Sequence, residues 1–567
     1  MRIFLILFCL FLIHTSSLWR PSQTLAGGSG DTLAHAAMPG FYCKNIFPKY
    51  LSAQYLETRK LPSDQFLMGD AELSTSFDSP FPMILTCPLS SLGSSVQFHI
   101  FAMLEIFLVL LSAFLVGRVM KLSEPWLLAY VLFVWWTGFY AARINHHFTL
   151  LPSIWGFQFI LWAGLTIRWR ELHSVLLRAF IMGLVFAGTF HNTAMLSLPL
   201  LAILTLRLWQ DRAQQKSLAW VKTLGLATVI FLGTFVFFFA PAIISYFQSG
   251  QPHSVVERTH FSLALLHAFL PLWAGGMALP IEATNPLDLV ILGIVLVSLL
   301  HKKFWQEPLR RVLILLAAFC FVWSLGPELR MGSSLPGEGS LENYFFTLLE
   351  RIPPLSVSRA PGRFMVVTAL SFIYLAFDYL RLFWMERAGN FKVALALIAW
   401  ILVTGPVLTH EIFVPTWDYK SNIPQKAVEV IRASSVKTIV AHIPTAMAAD
   451  PLQNFFQLFH QKRISAGYLA YTAYTSETMK TLLEDPFLSH TNCFGDALVF
   501  KRTSFLENFE VLHEHLKKTH IGFLVLNKNI LNDAACSDLV NWLRELVKQP
   551  WVQVLDETPV LLVFDVR

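Results

Sequence analysis

Apolar residues recur along this chain in runs of about twenty, the length a helix needs to cross a hydrocarbon layer about 30 Å thick. Such runs lie near 3–19, 97–117, 124–141, 149–167, 174–190, 193–208, 221–247, 286–301, 310–326, 363–382 and 391–409. Each predicts a transmembrane helix, eleven in all, and the run at 221–247 is long enough to tilt, or to kink at Pro241. After Trp417 the pattern changes. The stretches "VKTIVAHIP", "IGFLVLNKN" and "PVLLVFDV" are short, rich in β-branched residues, and predict strands. Between them "NIPQKAVEVIRAS" and "CSDLVNWLRELVKQ" place apolar residues at helical spacing. The pattern therefore predicts a polytopic α-helical membrane domain over 1–414 and a small extracytoplasmic α/β domain over 415–567.

Basic residues assign the sides. Arg118 with Lys121, Arg168 with Arg170, Arg207 with Arg212 and Lys216, Lys302 and Lys303 with Arg310 and Arg311, and Arg381 with Arg387 fall on alternate connections. The intervening connections are poor in charge: "ARINHHF" holds one arginine and "TFHNT" none. Basic loops stay inside, so the N-terminus is expected inside. The large first loop 20–96, the loops 248–285 and 327–362, and the tail after 410 are expected outside. The opening "MRIFLILFCLFLIHTSSLWRPSQTLA" also has the basic, apolar and small-residue layout of a secretory signal; the many later spans favour a retained first helix.

Composition agrees with a lipid-solvated chain. Hydrophobic residues make up 55% of 567 and charged residues 14%, against about 25% charged in soluble domains, and the mean hydropathy is +0.54. The net charge of +6 is small for this length and gives no case for nucleic acid. Cys43 and Cys87 share the first outer loop, Cys493 and Cys536 share the tail, and Cys9 and Cys320 lie in spans. An oxidising exterior allows one bridge in each outer region; four free thiols is the other reading.

Candidate chemistry lies in the outer loops. In "GGSGDTLAHAAMPGFY", Asp31 follows glycines at the end of the first span, close to lipid headgroups. Such a carboxylate can serve as general base for an acceptor hydroxyl or as a ligand to a divalent cation; equally, it can cap the alanine-rich turn that follows. Asp70 and Glu72 in "FLMGDAELS" can offer two oxygens to a metal or hold a sugar hydroxyl, although solvated loop acids are commoner. His146 and His147 in "RINHHFT" point in different directions as neighbours, so chelation by that pair alone is not expected. With His191, His260 and His267 they suit phosphate or headgroup contacts, or a polar interfacial cap. Arg258 in "VVERTHFSLALLHAFLP", and Arg359 and Arg363 in "SVSRAPGRFMVV", run against the inside-positive trend. Two arginines four apart can present two guanidinium forks to one phosphate or diphosphate; the other reading is an interfacial anchor. Glu105, in the second span, is a functional candidate by its depth, or a group that accepts hydrogen bonds in the bundle interior.

These pieces form an ordered set. "GSGD" follows span one, "RINHHFTLLPSIW" opens span four and "ERTHFSLALLHAFLPLW" precedes span eight. "LGPEL" ends span nine, "ERIPPLSVSRAPGRFMVV" opens span ten, and "NFFQLFHQKRISAGYLAYT" and "THIGFLVLNK" lie in the tail. Over nearly its whole length the chain resembles the bacterial polytopic GT-C-type membrane glycosyltransferases and their YfhO-like relatives, most specifically in "SVSRAPGRF". The resemblance implies a multi-pass protein of the bacterial cytoplasmic membrane. It implies a polyprenyl-phosphate sugar donor and transfer on the outer face to an envelope glycan, lipid or protein. Asp31 matches the acceptor-side base in an inverting displacement, and Arg359, Arg363 and Arg258 match groups that stabilise the leaving lipid phosphate. The first loop departs from the family in holding one acid after glycine rather than a tight acidic pair, which leaves open whether the possible cofactor, a divalent cation, is needed. Two other classes remain: a non-enzymatic envelope protein that binds a lipid-linked glycan or helps export it, and a transporter. Few ionisable residues inside the spans besides Glu105, and no matched halves, weigh against the transporter.

Overall fold

A computed structural model describes residues 2–20, 24–26, 43, 80–144, 148–169, 171–188, 193–210, 218–249, 263, 265–269, 287–330, 341–350, 355, 360–384, 390–407, 412–435, 437–444, 451–465, 484–491, 500, 502–532 and 534–567. Among them, an apolar helix falls on each of the apolar runs of the sequence. They are α1 (Arg2–His14), α2 (Ser94–Val119), α3 (Glu124–Trp135), α4 (Pro152–Thr166), α5 (Leu172–Ala187) and α6 (Thr193–Gln210). They continue as α7 (Leu218–Ser249), α8 (Leu289–Leu299), α9 (Pro308–Ser324), α10 (Met365–Phe383) and α11 (Asn390–Leu402). The stretches Ser95–Val119 and Pro361–Phe383 are long and apolar enough to cross a membrane, and shorter apolar stretches of 10–17 residues lie within α1, α3, α5 to α8 and α11.

The short helices have local causes. The run expected at 124–141 breaks at Trp136, because Thr137 caps a new helix, Gly138–Arg143, by accepting from the Tyr140 backbone N–H at 3.1 Å. At its far end α11 widens into a looser turn over Val403–Val407, where Pro406 lacks the N–H a regular ladder needs. Glycine is required beside it: a Cβ on Gly405 would lie 2.9 Å from the Cβ of Trp136. α7 runs unbroken through Pro241.

Contacts sort the helix termini into two ends of the bundle. At one end, His14 closes α1. Its Nδ1–H donates to the Ile412 carbonyl at 2.8 Å, so Nε2 is the acceptor for the Tyr140 hydroxyl, also at 2.8 Å. His99 opens α2 there in the same tautomer. It donates to the Leu18 carbonyl at 2.7 Å and accepts the Ala26 N–H at 3.0 Å. At the opposite end Arg310 of α9 donates from Nε to Asp378 Oδ2 of α10 at 2.6 Å, and Arg381 Nη2 donates to Oδ1 at 2.7 Å. Arg207 Nε reaches the Gly164 carbonyl at 2.7 Å. The second end gathers Arg168, Arg178, Arg207, Lys303, Arg310 and Arg381, and the first carries Arg143, Arg330 and Arg363. α3 and α10 are the most enclosed helices, whereas α1, α5 to α8 and α11 turn large hydrophobic side chains such as Leu5, Leu201, Val229, Leu296 and Phe391 outward. An exposed apolar girdle of that extent suits hydrocarbon better than water.

Glu105 of α2 is wholly buried and accepts the Trp155 indole N–H at 2.7 Å, as the interior-facing reading expects. Cys43 is bridged to Cys87, the bonded alternative for the first loop. Cys536 is disulfide-bonded too, to a partner outside the described residues. Cys9 and Cys320 are free.

Short strands tie segments at the first end. β1 (Thr24–Ala26) follows α1, and β2 (Glu328–Leu329) pairs antiparallel with β3 (Leu341–Glu342) beyond α9. β4 (Thr416–Asp418) pairs antiparallel with β1, Ala26 opposite Thr416. The remaining strands are β5 (Ile439–Ile443), β6 (Arg463–Ile464), β7 (Ile521–Asn527), β8 (Gln553–Glu557) and β9 (Leu561–Asp565). They form one sheet in the order β6-β5-β7-β9-β8, with β5 parallel to β6 and β7 and the last three antiparallel. The helices are α12 (Gln425–Ala433), α13 (Pro451–His460), α14 (Phe509–Lys518) and α15 (Ser537–Leu546). β5 and β7 are buried along their whole length, as sheets covered on both faces require. Val440, Phe523 and Val525 join the core that continues into the bundle, while Ile439, Leu524 and Leu526 pack under α14 and α15 with Trp542.

Two buried imidazoles sit in this sheet layer: His442 on β5 and His460 at the end of α13. Burial pushes His442 from 6.5 down to about 3 and holds His460 well below its ordinary value. Both fold neutral, so an unfolded chain gains protons below about 6.5 that the folded sheet refuses. Stability of the tail is therefore full above pH 6.5 and falls as the pH drops towards 3. Tail tryptophan fluorescence during acid titration should show that slope, and the double variant H442N/H460N should flatten it. Tyr140→Phe leaves His14 Nε2 buried without its donor and should cost about 1–3 kcal/mol in thermal or denaturant unfolding in detergent.

Candidate functional site

The sequence Ala360-Pro361-Gly362-Arg363-Phe364 folds as one tight turn that leads into α10, with Pro361 in its first positions, where no N–H is needed. The Arg363 N–H bonds back to the Ala360 carbonyl at 3.1 Å. Phe364 and Phe346 flank the buried Trp323 of α9, at centroid distances of 6.0 and 4.1 Å. Half-buried Arg363 is thereby fixed at the positive end of the α10 dipole, where helix and guanidinium both favour an anion.

Two further arginines occupy this end. Arg330 follows β2 and is buried; its carbonyl accepts the Leu265 N–H at 2.8 Å. Burial draws its guanidinium below the ordinary value, and the charge of Glu328 acts in the other direction. Arg143, at the end of the short helix after α3, is wholly buried, with its guanidinium 4.9 Å from the Phe139 ring centre. Desolvated cations are costly and suit places where an anion or a π-face compensates them.

Towards the same end of the bundle is a cavity of about 290 Å³ between α3, α8, α10 and α11, walled by Phe133, Trp136, Phe372 and Trp400. Its polar groups are Thr137, Thr404 and Asp288. Asp288 is committed structurally. Oδ1 caps α8, accepting from Val290 and Ile291 N–H at 2.9 and 3.0 Å, and Oδ2 accepts the Trp400 indole N–H at 3.0 Å. The wall is therefore suited to hydrocarbon. Ala369 of α10 also lines it, six residues beyond Arg363 and so about 9 Å along the axis. An apolar chain in the cavity and an anionic head near the arginines would lie end to end.

Of the residues singled out in the sequence, Arg363 is among those described and stands at this site. Asp31, Asp70, Glu72, His146, His147, Arg258, His260 and Arg359 lie outside the described residues. Sequence reasoning passed over Arg330, although it runs against the inside-positive trend one residue beyond "LGPEL", and counted Arg143 only as the lone base of its loop. It had no means of finding the cavity, which four helices distant in sequence enclose. Among the described residues, no group of three or more His, Cys, Asp or Glu side chains could hold a metal ion.

No family model matches this chain, and no curated protein matches it. Among solved structures it is similar to the crystal structure of ArnT from Cupriavidus metallidurans bound to undecaprenyl phosphate. That likeness has 12% identity and a TM-score of 0.46, covering 99% of this chain and 97% of that one. The apo state of the same ArnT gives 12% identity and a TM-score of 0.36, over 99% and 96% of the two chains. An oligosaccharyltransferase from Archaeoglobus fulgidus, in complex with Zn and sulfate, gives 10% identity and a TM-score of 0.38, over 94% of this chain and 69% of that one. Scores this low do not establish a shared fold, so the functional reading rests on the residues.

Trp400→Phe keeps the ring against the cavity but removes the donor to Asp288. It should cost about 0.5–1.5 kcal/mol, whereas Asp288→Ala also loses the α8 cap and should cost about 1 kcal/mol more, both read by thermal unfolding in detergent.

Proposed function

We propose that this chain is an integral-membrane glycosyltransferase of the GT-C type, akin to the bacterial YfhO-like proteins it resembles. It moves a sugar from a polyprenyl-phosphate donor to an envelope acceptor on the outer face of the cytoplasmic membrane. Its eleven helices cross the bilayer with the N-terminus inside, and the α/β domain over 415–567 lies outside. The observation that carries the reading is the apolar cavity at the bundle end that holds Arg363, Arg330 and Arg143. Hydrocarbon and phosphate are the two chemistries a polyprenyl-phosphate donor presents, and that end supplies a complement to each.

In the reaction the acceptor hydroxyl attacks the anomeric carbon, its proton passes to the Asp31 carboxylate, and the bond from that carbon to the phosphate oxygen breaks. The phosphate gains negative charge as it leaves. Arginines aimed at it therefore stabilise the transition state more than the ground state. Arg363, with Arg359 and Arg258, takes that role; His260, His146 and His147 contact phosphate or headgroup, and Asp70 and Glu72 hold sugar hydroxyls. The sequence places Asp31 five residues after Ala26, which β4 and His99 hold at this end of the bundle.

The test is reconstitution in lipid with a polyprenyl-phosphate sugar. Asp31→Asn should lower transfer by about 10²–10⁴-fold and leave donor binding unchanged. Arg363→Gln should weaken donor binding by about ten- to a hundredfold. Binding without transfer in the unaltered chain would identify a non-enzymatic binder of lipid-linked glycan, and unimpaired transfer by Asp31→Asn would remove that residue from the mechanism.

A further inference from the structure

The opposite end of the bundle holds a second concentration of cations. α6 packs against both α9 and α10, and their termini bring Arg207, Arg310 and Arg381 together with Asp378. All four lie within electrostatic range of the Tyr374 phenol. Asp378 is the one carboxylate that hydrogen-bonds these guanidinium groups among the described residues: Oδ2 takes Arg310 Nε, and Oδ1 takes Arg381 Nε and Nη2. Three positive charges thus meet one negative charge.

The remaining donors are placed unequally. Arg310 is buried, and its Nη1 is occupied by the Lys303 and Phe304 carbonyls. Arg207 uses Nε on Gly164 and Nη1 on Gln210. Arg207 Nη2, Arg381 Nη1 and the Tyr374 hydroxyl make no hydrogen bond to the described residues. Arg207 and Arg381 are only half-buried, so these donors sit at the bundle rim, two cations in excess of the local acid. Deeper in, the Tyr130 hydroxyl donates to Gln158 Oε1 at 2.8 Å, while buried Gln158 Nε2 has no partner among the described residues. Excess charge at the edge of a low-dielectric bundle is costly unless an anion compensates it.

We propose that the ends of α6, α9 and α10 bind one phosphate group carried by an anionic membrane lipid, with Arg207 and Arg381 as its donors. A phosphodiester headgroup brings the missing charge, accepts from both guanidinium forks, and leaves its acyl chains against the exposed apolar faces of α6 and α9. Arg310 and Asp378 act as positioning residues. This site is separate from the candidate glycosyltransferase site at the other end and requires only that the bundle lie in lipid.

The experiment places the full-length chain in nanodiscs of phosphatidylcholine alone, with phosphatidylglycerol added, or with free inorganic phosphate added. It reads the unfolding temperature, and the lipid retained in native mass spectrometry. Phosphatidylglycerol should raise the unfolding temperature and remain bound, whereas phosphatidylcholine and free phosphate should do neither. Arg207→Gln should weaken phosphatidylglycerol retention by about ten- to a hundredfold. Arg381→Gln, which keeps the Arg310–Asp378 pair, should do the same. Arg118→Gln, which removes an exposed charge in the last turn of α2, should have no effect. Equal support by phosphatidylcholine, or an equal loss with Arg118→Gln, overturns the site, and full support by inorganic phosphate overturns its assignment to lipid.

Discussion

One imidazole holds the candidate-site end of the bundle together. His14 ends the first helix, takes a hydrogen bond from Tyr140 of the short helix after α3, and gives one to Ile412 where the tail begins. It has two nitrogens, and its two partners settle which one carries the proton. The Trp135 and Trp136 rings close around it edge-on at centroid distances of 5.3 and 4.9 Å. Trp136 in turn presses on Gly405 and walls the cavity. A histidine, two indoles and a glycine therefore set the spacing of α1, α3 and α11, and the cavity exists because that spacing is fixed.

The two ends of the bundle solve the same electrostatic problem differently. Near α10's last turns a carboxylate sits between two guanidinium groups, so much of the cost of burying cations is met within the chain. Arg363 precedes α10's first turn, at the end of the bundle that holds an apolar cavity; among the described lining residues the one carboxylate, that of Asp288, is taken by a helix cap and an indole. The first arrangement ties α9 to α10 through Asp378 and still leaves a net positive charge at the rim; the second brings Arg363 to the same end as an apolar wall.

Hydropathy made the helices legible, because lipid-facing and buried surfaces are both apolar and the run length alone marks each one. The tail strands were legible for a related reason: β5 and β7 are covered on both faces and read as short, largely apolar runs that contain β-branched residues. What escaped was pairing at long range. Arg310 and Asp378 are 68 residues apart, and nothing local in either helix names the other. The break at Trp136 depends on a threonine cap, and the widened turn at the end of α11 on one proline; both sit inside runs that hydropathy reads as continuous. The arginines of the site were partly legible, since a basic residue in outer loops sparse in basic groups stands out, but the cavity at their end of the bundle is a property of packing. The Cys43–Cys87 bridge was one of two readings that the spacing alone allowed.

The union of β1 with β4 bears on how such a protein is made. The backbone that leaves α1 has its hydrogen-bonding partner near the start of the tail, and His14 finds Ile412 398 residues along the chain. During synthesis α1 is inserted long before either partner exists. Until then the backbone after α1 has, among the described residues, only its contacts with His99 of α2, through Leu18 and Ala26, to hold it. Contacts of that sequence separation form late. Completion of the chain is thus the event that closes this end of the bundle, and a truncated product would carry every apolar helix yet lack the clasp that organises them.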